Sequence, residues 1–171
     1  MSNVPRSDPL LTVTQLILRI GMVILGIGIA LAAGAAIALV VAPDQQLMPR
    51  LSDGSTVWLV IAGAALVSVM MALYFLFLRH LSRMVATVGT GDPFQPENAG
   101  RLEKMAWLTL ILQGCMFVLA PLTTMIADRI GEKAGGLELS FDSLLLALVL
   151  FVLARVFRHG TAMRDDLEGT V

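Results

Sequence analysis

The chain is poor in the residues that build disulfides and metal sites. It contains one cysteine and two histidines in 171 residues, so a disulfide within one chain is excluded and no zinc-ligand pattern can be formed. Its net charge is −1, which gives no electrostatic basis for direct nucleic-acid binding. We therefore expect no metal, no cofactor and no nucleic-acid ligand.

Charge is also missing from long stretches of the sequence. Hydrophobic residues make up 57% of the chain and the mean hydropathy is +0.82, above what a soluble domain carries. About 20 helical residues cross a hydrocarbon core roughly 30 Å thick. The sequence has four apolar runs without charge. The fourth is the shortest, and it reaches spanning length if Asp142 and Arg155 lie at the two membrane interfaces. We predict four spans, at about 20–42, 57–78, 105–127 and 142–157.

The cores of these spans contain no Asp, Glu, Lys, Arg or His. An ionisable group in the middle of a membrane is costly and usually marks a transport pathway. Its absence argues against a proton- or ion-coupled transporter. It also leaves no acid–base pair or activated nucleophile in the spans, so we expect that the protein is not an enzyme.

The distribution of basic residues predicts the orientation. Nine of the twelve Lys and Arg residues lie in the N-terminal segment, the loop 79–104 and the C-terminal segment that starts at Arg155. The positive-inside rule places these segments in the cytoplasm, with both termini inside. The sequence thus predicts one membrane domain over 1–171, an all-α bundle of four transmembrane helices.

Small residues spaced four apart suggest where helices pack, because helices in lipid associate through close contact. The first span has one such row, named here the small-residue ridge, and the second span has another. In the third span, Gln113 is the one strongly polar side chain, and it should hydrogen-bond a neighbouring helix or a backbone carbonyl. Packing within the chain is the favoured interpretation, and a homodimer seam is the alternative. The ridge is Gly26, Ala30, Gly34 and Ala38, and the second row is Ala64, Ser68 and Ala72.

The segment 89–101 is the most specific stretch of the loop. Pro96 suits the first position of a helix and Glu97 its first turn, so the third helix should begin at about Pro96, well before its span. The segment serves either as a capped turn or as a docking surface, and we expect the tail to fold back against it. The residues of the predicted partner surface are Asp92, Phe94, Glu97, Asn98, Arg101, Arg158, Asp165 and Asp166.

Short motifs then suggest a family. Gly91-Asp-Pro-Phe, Glu97-Asn-Ala-Gly-Arg-Leu, Phe157-Arg-His-Gly-Thr-Ala-Met and Asp166-Leu-Glu-Gly-Thr-Val together resemble the bacterial membrane family known as domain of unknown function 2975. The resemblance covers essentially the whole chain and implies a small four-span protein of the bacterial inner membrane. It carries over no catalytic residue. By association only, it implies a link to helix-turn-helix regulators.

Three functions remain open at this point. The leading hypothesis is a signalling or regulatory membrane protein that binds a cytosolic partner, such as a helix-turn-helix transcription regulator. The second is a small transporter or channel subunit. The third is a structural protein whose partners are membrane lipids alone.

Overall fold

Four long helices make up the described structure. The computed structural model describes residues 9–41, 54–89, 95–132 and 141–168. The helices are α1 (Pro9–Val41), α2 (Gly54–Gly89), α3 (Pro96–Ile130) and α4 (Asp142–Glu168), and the part of the chain that is described contains no strand. Each helix is long and apolar enough to cross a membrane. The four helices indicate a multi-pass membrane protein and confirm the all-α prediction.

Local sequence signals set both ends of α3. The helix begins at Pro96, as predicted, with Gln95 in an extended conformation just before it. Proline suits this position because its fixed φ is helical and the first amide hydrogens have no partner inside the helix. At the other end Gly131 adopts a left-handed conformation with φ 73°, and its N–H donates to the carbonyl of Ala127. Glycine ends the helix here because a positive φ strains residues with a side chain.

The helices pack in the order of the sequence. Among the described residues, α1 packs on α2, α2 on α3 and α3 on α4, and no other pair of helix backbones comes close. The helices therefore form an open series, with α1 and α4 at its two edges.

Two clusters of buried side chains lie around α3. One joins α2 to the middle of α3, and the other joins α2, the first turns of α3 and α4. The first cluster is Met70, Leu112 and Leu119; the second is Leu102, Met105, Ala106, Leu150 and Ala154, flanked by Phe77, Leu81, Met84, Phe151 and Phe157.

The helices are longer than the predicted spans. Residues 79–89, predicted as loop, continue α2, and residues 158–168, predicted as tail, continue α4. This part of the tail therefore continues as helix and does not turn back. Residues 90–94 and 169–171 lie outside the described residues, so a contact of the end of the tail with the segment 89–101 stays a prediction.

Candidate functional site

Three helices project past their apolar spans at one end of the molecule. We call this the basic end and define it as residues 79–89 of α2, 96–104 of α3 and 155–168 of α4. At 1.5 Å per residue these extensions are about 14–21 Å long. Most of the basic residues of the described chain lie here, including Arg79, Arg83 and Lys104.

A buried asparagine ties α3 to α2 at the basic end. Asn98 is completely buried, its Nδ2 donates to Oγ1 of Thr87 at 2.7 Å, and its Oδ1 accepts from Nη1 of Arg101 at 2.6 Å. The Thr87 hydroxyl donates in turn to the carbonyl of Met84 at 2.7 Å. A buried amide is costly unless bonded, so these bonds fix where α3 starts relative to the end of α2.

An ion pair ties α4 to α3 at the same end. Nη2 of Arg158 lies 2.6 Å from Oε2 of Glu103. Nearby on α4, Thr161 is buried and its hydroxyl donates to the carbonyl of Arg158 at 2.9 Å. The rings of Trp107 and Phe151 pack edge to face below, with centroids 5.5 Å apart. The three extensions therefore form one connected structure.

Positive charges converge on a histidine between α2 and α3. Nδ1 of His80 is enclosed and has no hydrogen-bond partner among the described residues. Partial burial lowers the pKa of His80 below its ordinary value, and the nearby Lys104, Arg83, Arg101 and Arg79 lower this pKa further. Burial and these cations therefore both disfavour the protonated form of the imidazole.

The predicted partner surface is brought together only in part. Glu97 and Arg158 are exposed and Arg101 is half-buried, all at the basic end. Asn98 cannot contact a partner because it is completely buried, so its role is to support the surface from within. Asp92 and Phe94 lie outside the described residues. The helix α4 includes Asp165 and Asp166, but the surroundings of their side chains also lie outside the described part.

The predicted packing residues of α1 do not face another of the described helices. All four residues of the small-residue ridge are exposed, and a methyl group built on Gly26 or Gly34 would meet nothing within 4 Å. Packing of this ridge within the chain is therefore not what the structure shows. The contact with α2 uses Gly21 and Gly28 instead, where the added methyl group would lie 3.2 Å from Leu78 and 3.1 Å from Met71.

The predicted packing residues of α2 and α3 have mixed positions. Ala64 and Ser68 are half-buried, Ala72 is exposed, and Gln113 is buried in α3. The Ser68 hydroxyl donates to the carbonyl of Ala64 in its own helix at 2.8 Å. No hydrogen bond of the Gln113 side chain is found among the described residues, so its expected partner stays a prediction.

Sequence reasoning missed three of the residues that hold the basic end together. Thr87 and Glu103 bond across helices, and His80 lies where the cations meet. The spacing of Leu76 with His80 and of Lys104 with Trp107 would have placed each pair on one helix face, but nothing in the sequence says that these faces meet. The described residues hold no group of three His, Cys, Asp or Glu side chains that could bind a metal ion.

Comparison with known families finds one family for this chain. Residues 59–171 match the family described as Protein of unknown function (DUF2975). The match covers α3, α4 and nearly all of α2, and the chain belongs to this family. Comparisons with curated proteins and with solved structures found no match.

Proposed function

We propose that this member of the family is a regulatory membrane protein that binds a soluble partner at its basic end. The observation that carries the proposal is the connected projection of α2, α3 and α4 past their apolar spans. Helices that only crossed a membrane would not need extensions joined by a buried amide network and an ion pair. The proposed role is binding rather than catalysis.

The proposed location is the bacterial inner membrane, with the basic end in the cytoplasm. The excess of Lys and Arg at this end supports the orientation. The extensions offer exposed side chains of both signs, among them Glu97, Lys104 and Arg158. Such a surface suits a soluble protein of mixed charge. The resemblance to the family implies, by association only, a helix-turn-helix transcription regulator as the partner.

Site-specific photo-crosslinking in native membranes tests this function. A photoreactive amino acid replaces Glu97 at the basic end of α3 or, as the matched control, Asp128 at its opposite end. Both positions are exposed on the same helix, so they differ in the end of the molecule that they report. Covalent products are then identified by mass spectrometry.

The expected result is a soluble DNA-binding regulator attached at position 97 and absent at position 128. The attachment should weaken when Arg158 on the neighbouring helix is changed to Glu, since this reverses a charge of the same surface. If positions 97 and 128 attach to the same proteins, or if position 97 captures only membrane proteins, the proposed docking role is wrong.

A further inference from the structure

A groove runs between α2 and α3 where the basic end meets the apolar spans. Its volume is about 270 Å³, and its walls are Leu76 and His80 from α2 and Lys104, Trp107, Leu108 and Ile111 from α3. The groove is open to the side of the helices: Trp107 is 55% exposed and Ile111 49% exposed. In a membrane this side faces lipid.

The lining of the groove is almost entirely apolar, and its two ionisable side chains lie at one end, called here the polar end. Since α2 and α3 run in opposite directions, His80 and Lys104 lie together at the end nearer the helix extensions. Leu76 and Ile111 lie deeper, within the charge-free spans. A phospholipid has the same arrangement, with a polar headgroup at the interface and acyl chains below it.

The charge at the polar end selects the kind of headgroup. Lys104 lines the groove, and Arg79, Arg83 and Arg101 lie near enough to act on His80. The described charges that act on His80 are all positive, whereas Glu103 is paired with Arg158 of α4. Basic pockets between transmembrane helices bind anionic headgroups. A neutral headgroup would leave this concentration of positive charge uncompensated.

We propose that the groove binds one anionic phospholipid. Its phosphate is held between Lys104 and His80, and one acyl chain lies along Leu76, Leu108 and Ile111. Since Nδ1 of His80 is enclosed, Nε2 is the ring nitrogen left to contact the headgroup. The apolar walls favour a lipid over free inorganic phosphate, because only a lipid covers the exposed Trp107 and Ile111.

The fluorescence of Trp107 reports directly on the occupant. The chain has two tryptophans, so Trp58→Phe leaves Trp107 as the only one. The full-length protein is placed in phosphatidylcholine vesicles that contain a small fraction of brominated phosphatidylglycerol or, in a parallel sample, brominated phosphatidylcholine. Bromine quenches tryptophan on contact, so the two quenching curves compare the affinities of the groove for the two headgroups.

Phosphatidylglycerol should quench Trp107 at a much lower fraction than phosphatidylcholine. Lys104→Gln should reduce this preference about fivefold, the contribution of one cation near an anionic lipid. The matched control is Arg19→Gln, an exposed cation of α1 that does not line the groove, and it should keep the preference. Circular dichroism shows that each variant is folded.

Three results would overturn the proposal. Equal quenching by the two lipids would show that the groove does not select an anion. Equal loss in Lys104→Gln and Arg19→Gln would show general surface attraction rather than a site. Complete displacement of the brominated lipid by inorganic phosphate would show an anion site without an acyl-chain groove.

Discussion

Helices α1 and α3 are both long enough to span a membrane, but they differ in how much of their surface packs against other helices. The most hydrophobic window of α1 is more apolar than that of α3. Yet α1 lies at the edge of the series, packs only on α2, and has Leu18 as its buried side chain among the described residues. α3 lies between α2 and α4 and buries residues along its length from Asn98 to Ala127.

The difference shows that hydrophobicity does not select the inner helix in a membrane. Lipid tails are as apolar as leucine side chains, so burial against another helix gains little from apolarity. Within the apolar span, the buried positions of α3 include Thr109 and Gln113. Polar side chains gain from a protein neighbour because the alternative is hydrocarbon. The more polar helix is therefore the better packed one.

The largest expected effect is an all-or-none difference in reporter signal, which shows the direction in which α1 and α3 cross the membrane. Reporter fusions after Ser52 and after Gly135 should lie outside the cytoplasm, and fusions after Gly91 and at Val171 inside it, because most basic residues flank the inner positions. Activity of paired periplasmic and cytoplasmic reporters measures each location. A cytoplasmic signal after Gly135 would mean that α3 does not cross the membrane, and the comparison with α1 would fail.

The next effect concerns the polar contacts that distinguish α3. Asn98→Ala removes a fully buried amide that bonds Thr87 and Arg101. The free energy of unfolding should fall by about 2–3 kcal/mol, because the bond to Thr87 on α2 is lost and Arg101 of the same helix loses its acceptor. Thermal or denaturant unfolding in detergent measures the change.

The matched control for Asn98 lies on α1. Thr14 is exposed, and the bond that its hydroxyl makes among the described residues is to the carbonyl of Leu10 in its own helix, at 2.8 Å. Thr14→Val should leave the unfolding free energy nearly unchanged. Equal effects of the two substitutions would show that the buried polar contacts of α3 do not stabilise the protein more than the exposed polar groups of α1 do.

The sequence is informative about the helices and much less so about their faces. The four spans follow from the length of the charge-free runs, and the start of α3 follows from Pro96. The packing face of α1 could not be predicted, because this helix has small residues on several sides. Spacing of four selects the small-residue ridge, whereas the structure uses Gly21 and Gly28, seven residues apart. Only the shape of α2, with Leu78 and Met71 at those heights, decides between them.

The candidate site was predictable to a similar extent. The sequence places Glu97, Arg101 and Arg158 at one end because their positions relative to the spans are local properties. It could not show that Asn98 is buried, since that depends on Thr87 on another helix. Nor could it show that His80 and Lys104 line one groove. Such contacts depend on how two helices are rotated against each other, which no local signal specifies.

A third prediction sharpens the assignment of the two faces of α1. Gly28→Leu places a large side chain against Met71 and should destabilise the α1–α2 contact by about 2 kcal/mol, the cost of overpacking a close contact. Gly34→Leu is the matched control in the same helix, where an added methyl group meets nothing within 4 Å. Thermal unfolding in dilute detergent should show a lower melting temperature for Gly28→Leu alone.

The same two variants examine the alternative that the ridge joins two copies of the chain. If α1 pairs with a second copy through the small-residue ridge, Gly34→Leu should reduce the size of the particle on native mass spectrometry. A drop in melting temperature for Gly34→Leu without a change in size would contradict the outward placement of the ridge.

The smallest effect tests how much the charged contact at the edge of α3 contributes. Arg158→Ala removes the ion pair with Glu103. The side chain of Arg158 is 61% exposed and that of Glu103 is 45% exposed. We expect a loss of at most about 1 kcal/mol, because exposed ion pairs are screened by water and salt. The loss should shrink further as salt is raised. Unfolding of the detergent-solubilised protein at low and high salt measures both.

Arg155→Ala is the matched control for this last change. Arg155 is exposed on the same helix one turn earlier, and no partner is found for it among the described residues. Its removal should have no salt-dependent effect. A salt-dependent loss of the same size in both variants would mean that the charge of α4 as a whole matters, rather than the pair. Among the described residues, the buried amide of Asn98 would then remain as a specific polar contact that fixes the extended helices at the basic end.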